Sequence, residues 1–150
     1  MEQIDPHVSQ RVWSRVMNTP APPPEPLPEL IQLEWADASA MLTLALRHKG
    51  QEAALLRQIA HRDQSHAKSL TGLYRLLTGQ TPAVTTPPPK AENTESLLRR
   101  RIREKLCRAQ TYGIHAADPE FGFLYHLHRE QELKAVQILL GILGTQHGRS

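Results

Sequence analysis

The segment from Leu56 to Leu77 carries an apolar stripe at helical spacing that is interrupted by two ionisable residues. The stripe runs Leu56, Ile59, Asp63, His66, Leu70, Leu73 and Leu77. Residues three and four apart lie on one face of a helix, so Asp63 and His66 are expected to face inward with the leucines. An ionised aspartate in an apolar seam is costly unless a cation, a metal or a proton compensates it. The chain must therefore fold around a polar layer.

The composition favours an all-α protein of one domain. Helix-forming residues dominate the 150 residues, aromatics are few at 5%, and the formal net charge of +3 does not by itself call for a nucleic acid. Cys107 is the single cysteine, which excludes an intrachain disulfide and a thiolate cluster and fits a reducing cytoplasm. We find neither a signal-like leader nor eighteen consecutive apolar residues, so a cytoplasmic protein without a membrane span is expected.

Residues 1–28 are predicted to form a short amphipathic helix and a proline-rich linker. Asp5-Pro6 is typical of a helix start, and Val8, Val12, Trp13 and Val16 follow at helical spacing. This segment is expected to cap one end of the fold. The prolines that follow make a stiff, extended connection, because proline cannot continue a helix. They are Pro20, Pro22, Pro23, Pro24, Pro26 and Pro28.

Four long helices are predicted over residues 28–48, 52–78, 94–117 and 119–143. The brief connection around Gly50 forces the first two to pack antiparallel, and Asp118-Pro119 joins the second pair in the same way. Residues 80–93 form a long crossover between these hairpins, and residues 144–150 are expected to be a frayed tail. Two hairpins joined by a long crossover are typical of the ferritin-like four-helix bundle, which residues 29–143 would form.

Each predicted helix places polar residues in phase with its apolar stripe. These residues are Glu34 on the first helix, Asp63 and His66 on the second, Lys105 on the third, and Gln131 with Lys134 on the fourth. On the third helix, phase favours Lys105 over Glu104, which aligns with Arg101 and Arg108 on the expected solvent face. The pattern predicts one buried polar layer between leucine and isoleucine layers.

The second helix resembles that of rubrerythrin-like bacterial proteins in the ferritin-like superfamily. The resemblance rests on the run from Ile59 to Leu70, on the following Leu73 to Gly79, and on the helix that opens at Asp118-Pro119. It implies a di-iron site in which two helices each supply a Glu and the other two each supply Glu-x-x-His. Glu34, Asp63 and His66 match such metal ligands, whereas Lys105, Gln131 and Lys134 stand at degenerate ligand positions.

The favoured interpretation is a non-catalytic protein in which a buried salt-bridge network replaces the metals. Glu34 and Asp63 contribute two negative charges, and Lys105 and Lys134 contribute two positive ones. On this interpretation the chain has no catalytic residue, no cofactor-binding residue and no bound metal. The alternative is a di-iron or mononuclear oxidoreductase acting on peroxide or dioxygen, with shifted ligands drawn from Glu104, Glu130 and Glu132.

A third hypothesis is an interaction module whose leader docks a partner, and a homodimer is a further expectation. The arginines around residues 99–103 are expected on a solvated face, with no nucleic acid and no membrane as partner. Four more histidines are expected at the surface or in grooves, and Tyr74 and Tyr112 are expected in the core or at a seam between helices. The histidines are His61, His115, His126 and His128.

Overall fold

The computed structural model describes residues 26–85 and 91–147, which form four α-helices and no strand. The helices are α1 (Leu27–Leu46), α2 (Gly50–Thr78), α3 (Thr94–His115) and α4 (Gly122–His147). The all-α prediction is confirmed. The predicted N-terminal helix lies outside the described residues. Helix α4 continues past its predicted end at residue 143, so the first residues of the expected tail are helical.

The four helices pack as two hairpins side by side in a four-helix bundle. Helix α1 packs on α2 and α3 packs on α4, while narrower interfaces join α1 to α3 and α2 to α4. Within the described residues, the backbones of α1 and α4 do not pack against each other, and neither do those of α2 and α3. The crossover therefore joins two helices that lie diagonally opposite.

Hydrogen bonds at the helix ends show that neighbouring helices of different hairpins are antiparallel. Near the start of α2, Glu52 accepts a hydrogen bond from Thr145 at the end of α4. The described parts of the crossover lie along α1. Thr85 is hydrogen bonded to Gln32 near the start of that helix, and the Glu92 carbonyl accepts a hydrogen bond from Arg47 just after its end.

Local signals fix where the helices begin and end. Pro28 lies in the first turn of α1, where its missing N–H costs nothing. Gly79 ends α2 in the left-handed conformation at φ 70°, which glycine adopts without strain. Asn93 caps α3 by accepting the Ser96 N–H at 2.8 Å. At Gly122 a Cβ atom would lie 2.2 Å from the Ala116 carbonyl oxygen, so the turn between α3 and α4 requires glycine there.

Two apolar clusters fill the interior, one toward each end of the bundle. One contains Leu44, Leu56 and Leu139, and the other contains Leu27, Leu77 and Tyr125. Leucines also lie outside the core: Leu42, Leu106 and Leu127 are exposed. Charged residues of the same helices are instead buried, and they form a layer between the two clusters.

Candidate functional site

The layer between the apolar clusters consists of nine buried ionisable side chains, which we call the ionic layer. They are Glu34 and Asp37 from α1, Asp63 and His66 from α2, Arg101, Lys105 and Arg108 from α3, and His128 and Glu132 from α4. Buried polar groups are the minority in protein cores and require partners there. Four carboxylates meet four basic groups, and their formal charges cancel when His66 is protonated.

Helical spacing brings these side chains to one level. On each of α1, α2 and α3, two members of the layer lie three residues apart, and on α4 they lie four apart, so each pair shares a helix face. The pairs are Glu34 with Asp37, Asp63 with His66, Lys105 with Arg108, and His128 with Glu132. Antiparallel packing then sets the four pairs opposite one another.

Lys105 lies at the centre of the ionic layer. Its Nζ atom is 2.6 Å from Oδ2 of Asp37, 2.9 Å from Oδ1 of Asp63 and 3.2 Å from Oε2 of Glu132. The three donors of an ammonium group thus meet three carboxylates. Burial by itself lowers the pKa of Lys105, but these carboxylates outweigh burial and raise that pKa above its ordinary value. Lys105 is therefore a fixed cation.

Arg108 shares two of these carboxylates, Asp37 and Glu132, and also binds Glu34. Its Nε atom lies 3.0 Å from Oε1 of Glu34, and its Nη2 atom contacts Oδ2 of Asp37 and lies 3.2 Å from Oε2 of Glu132. Arg101 adds a longer contact of 3.5 Å to Asp37 and pairs at 2.9 Å with the half-buried Glu104. A rigid guanidinium suits such a shared position, because it presents several donors in one plane.

His66 lies between acceptors on both sides of its ring. Its Nδ1 atom is 3.2 Å from Oε1 of Glu132 and 3.4 Å from Oε2 of Glu34, while its Nε2 atom contacts the side-chain oxygen of Gln131. Two acceptors require two ring protons, and therefore the imidazolium form. Burial opposes this form, yet the hydrogen bonds to Glu132 and Glu34 raise the pKa of His66 to about 10.

His128 stacks on this imidazolium and is itself neutral. The two ring centroids lie 4.1 Å apart with 25° between the planes, and Tyr112 meets His128 edge-on at 5.2 Å. Burial, followed by the charge of His66, lowers the pKa of His128 to about 3. Its Nδ1 atom is buried and has no hydrogen-bond partner within the described ranges.

The four carboxyl groups of the ionic layer differ in the direction in which the protein shifts their pKa. For Glu132, Arg108 and Lys105 outweigh burial and hold the pKa well below its ordinary value, and for Asp37 Lys105 and Arg108 also lower it. For Asp63, burial dominates over Lys105 and raises the pKa well above the ordinary value. Burial also raises the pKa of Glu34. Asp63 is therefore the carboxyl group in the layer that most readily keeps a proton.

The predicted site residues Glu34, Asp63 and His66 come together as expected from the sequence. Together with Glu132 they offer ligand atoms that all lie within 4.8 Å of one another, close enough to surround one metal ion. Lys105 is buried beside them, as the helical phase predicts. Gln131 is half-buried and contacts His66.

The predicted place of Lys134 in the polar layer is wrong, because this residue is exposed. The inward face of α4 contains Tyr125, His128 and Glu132, so its register differs by one residue from the predicted one through Gln131. In this register Lys134 lies on the solvent side of the helix. Glu132, which the sequence suggests only as a shifted ligand, is fully buried. The further positive charges of the layer come from Arg101 and Arg108 on α3.

The predictions for Arg101, Arg108 and His128 are also wrong, since all three are buried rather than solvent-facing. The spacing of the arginines could have indicated their burial. Arg101 lies four residues before Lys105 and Arg108 three residues after it, so both share the helix face of that lysine. The signal for Asp37, which the sequence prediction missed, is its place three residues after Glu34. His61 and His126 are exposed, and Tyr74 and Tyr112 are in the core, as expected.

The donor set does not fit the pair of irons that the resemblance implies. The ionic layer holds four carboxylates and two histidines, but His66 already binds acceptors with both ring nitrogens, and His128 does not belong to the group of residues whose ligand atoms converge. Lys105 Nζ lies 2.9 Å from Asp63 and 3.2 Å from Glu132, two of the residues that could surround an ion. A metal ion between the same carboxylates would face two fixed cations, Lys105 and Arg108, which repel it.

Neither the helices nor the comparisons with known proteins supply a further indication of function. Within the described residues, none of the helices is long and apolar enough to cross a lipid bilayer. No family model, no curated protein and no solved structure matches the chain. The geometry of the ionic layer is therefore the basis for assigning a function.

Proposed function

We propose that this chain is a metal-independent, non-catalytic protein of the ferritin-like superfamily, similar to bacterial rubrerythrin-like proteins, and that it acts as a cytoplasmic scaffold. The observation that carries this proposal is the position of Lys105, whose ammonium group lies within 3.2 Å of three carboxylates at the centre of the bundle. The basic side chains of the ionic layer supply the positive charge that two divalent ions supply in a di-iron bundle.

The helix pairing supports the ferritin-like assignment. Two hairpins lie side by side, and a crossover along α1 joins diagonal helices. The resemblance of Asp63-x-x-His66 to a carboxylate-x-x-His pair supports it from the sequence. In this proposal Arg101, Lys105, Arg108 and protonated His66 take the role of the metals, four positive charges opposite four carboxylates.

Metal analysis of the purified protein tests the proposal. The full chain is incubated with ferrous iron, manganese or zinc, desalted, and measured by elemental analysis, and its melting temperature is recorded with and without each metal. We expect no stoichiometric metal and no rise in melting temperature, since a ligand that binds only the folded state would stabilise it. The matched control is Asp63→Asn, which removes one candidate ligand at constant shape.

The outcomes separate a core site from a surface site. Metal retained equally by the wild type and by Asp63→Asn would come from surface groups and would leave the proposal intact. One or more ions of iron, manganese or zinc per chain in the wild type, lost in Asp63→Asn, would overturn it.

A second candidate function is a metal-dependent oxidoreductase acting on peroxide or dioxygen. It is favoured by the four ligand atoms from Glu34, Asp63, His66 and Glu132 within 4.8 Å of one another. That function requires a bound metal, so a chain without stoichiometric metal in the same elemental analysis would exclude it.

A further inference from the structure

Four large apolar side chains are exposed at the end of the bundle where α1 begins. Phe123 and Leu127 lie one turn apart on the first turns of α4, and Leu76 and Ile114 lie in the last turns of α2 and α3. We call these four residues the basal face. Leu27, Leu77, Tyr112 and Tyr125 share one apolar cluster, which shows that these ends of all four helices meet. Phe123 is 81% exposed, unusual for the largest apolar side chain of this face.

The chain outside the structure enters the bundle at this same end. Residues 1–25 precede Pro26, which lies just before the first turn of α1. The sequence of residues 8–17 has an apolar stripe of Val8, Val12, Trp13 and Val16 at helical spacing. A short amphipathic segment gains stability only when its apolar face packs on another surface.

The linker is long enough for residues 8–17 to reach the basal face. Residues 18–26 are rich in proline, and an extended proline-rich chain spans about 3.1 Å per residue, hence roughly 28 Å in total. Neighbouring helices pack about 8–10 Å apart, so the diagonal from α1 to α4 measures roughly 14 Å. The reach exceeds this distance by a wide margin.

Another pair of exposed apolar residues lies at the far end of the bundle. Leu42 and Leu46 are one turn apart at the end of α1, and Leu46 is 89% exposed. At 1.5 Å per residue, Leu46 lies roughly 28 Å along the helix axis from Leu27. This distance equals the full extended length of the linker. The basal face is therefore the nearer acceptor for the leader, and Leu46 provides a matched control.

We propose that residues 8–17 of this chain dock intramolecularly on the basal face, with Trp13 packed against Phe123. Burial of these two aromatic side chains would cover the most exposed apolar surface at this end of the bundle. The inference does not depend on the metal content of the ionic layer.

Tryptophan fluorescence of the full chain tests the docking. The background variant Trp35→Phe leaves Trp13 as the single tryptophan. We expect its emission to be shifted to shorter wavelength relative to the chain unfolded in urea, and acrylamide to quench it less. Adding Phe123→Ser should shift the emission to longer wavelength and increase quenching, because Trp13 loses its main contact.

Leu46→Ser in the same background is the control, since it removes an even more exposed apolar side chain at the opposite end. It should leave Trp13 emission unchanged. Circular dichroism establishes that both serine variants keep the helical fold. Light scattering after gel filtration establishes whether a blue-shifted Trp13 belongs to a monomer.

Three results would overturn the proposal. The first is Trp13 emission equal to that of the unfolded chain, and the second is an equal response to Phe123→Ser and Leu46→Ser. The third is a blue shift that appears only in a dimer and disappears on dilution, which would assign the face to a second copy of the chain. A monomer with blue-shifted Trp13 that responds to Phe123→Ser alone supports it.

Discussion

The ammonium group of Lys105 lies 2.9 Å from the carboxylate of Asp63, although α3 and α2 lie diagonally opposite in the bundle. The backbones of these two helices do not pack against each other within the described ranges, and the long lysine side chain spans the centre between them. The ion pair therefore links the two hairpins where backbone packing does not.

The charges of the ionic layer are divided between the hairpins. The first hairpin supplies three of the four carboxylates, and the second supplies all three of the lysine and arginine side chains. A buried layer of this type gives little net stability over leucines, because desolvation offsets the attraction between its charges. Its division into an acidic and a basic side makes the facing surfaces of the two hairpins complementary in charge.

Replacing Lys105 by Met should destabilise the protein strongly. The change leaves Asp37, Asp63 and Glu132 without their shared cation, and breaking a buried ion pair in this way costs about 3–5 kcal/mol. Urea denaturation measures the free energy of unfolding. Lys134→Met is the control: its side chain is exposed, and the change should stay within about 0.5 kcal/mol. Equal stability of the two variants would contradict the central role of Lys105.

Neutralising Glu132 should cost more stability than neutralising Asp63. Arg108 and Lys105 hold the pKa of Glu132 well below its ordinary value, so Glu132→Gln removes a firmly ionised partner and should cost about 3 kcal/mol or more. Burial raises the pKa of Asp63 well above its ordinary value, so folding favours its neutral form and Asp63→Asn should cost only about 1 kcal/mol. Urea denaturation at pH 7 of both variants ranks them, and a larger loss for Asp63→Asn would count against this assignment of charge.

Stability should fall as the pH rises above neutrality because of His66. Its pKa is raised from 6.5 to about 10 in the folded state, so its contribution is fully present below pH 6.5 and is lost between pH 6.5 and about 10. The slope of the unfolding free energy from this one group is at most about 1.4 kcal/mol per pH unit. We expect His66→Gln to flatten the decline between pH 7 and pH 9. An unchanged slope in that variant would show that His66 does not carry the proton.

His128 should make an opposite contribution on the acid side. Its pKa is lowered from 6.5 to about 3, so the folded state resists a proton that the unfolded state accepts, and stability falls as the pH drops below 6.5. His128→Phe keeps an aromatic ring on His66 and removes this penalty. Its unfolding free energy in urea denaturation, relative to that of the wild type, should therefore be higher at pH 5 than at pH 7. Exposed His126→Phe, two residues earlier, should show no such gain. Parallel behaviour of the two variants would argue against a neutral, buried His128.

The helices and the existence of a polar layer could be predicted from the sequence because α2 has an unambiguous stripe. Every third or fourth residue from Leu56 to Leu77 is buried, including Asp63 and His66. Lys105 could be placed in the same way, since the leucines and isoleucine of α3 fix its phase. These are local properties, which one helix reveals without its neighbours.

The register of α4 and the burial of Arg108 could not be predicted in this way. Helix α4 has leucines on several faces, with Leu127 and Leu140 exposed and Leu139 buried, so its apolar pattern allows more than one phase. Arg108 belongs to a basic stretch that resembles a solvated face, and its burial makes sense only when Asp37 lies opposite on α1. Two charged residues that compensate each other across the bundle cannot be recognised from either helix alone.

Removing the hydroxyl group of Tyr112 should weaken the connection between the ionic layer and the adjacent apolar cluster. This hydroxyl donates a hydrogen bond of 2.9 Å to Oε1 of Glu34, and burial followed by the charge of Glu34 raises the pKa of Tyr112 well above its ordinary value, so it stays protonated. A hydrogen bond to a charged group contributes about 1.5–3 kcal/mol, and Tyr112→Phe should lose this amount in urea denaturation. A double-mutant cycle with Glu34→Gln measures the coupling. Additive losses would mean that the hydroxyl stabilises the fold independently of Glu34, whereas a positive coupling energy would locate its contribution in this one contact.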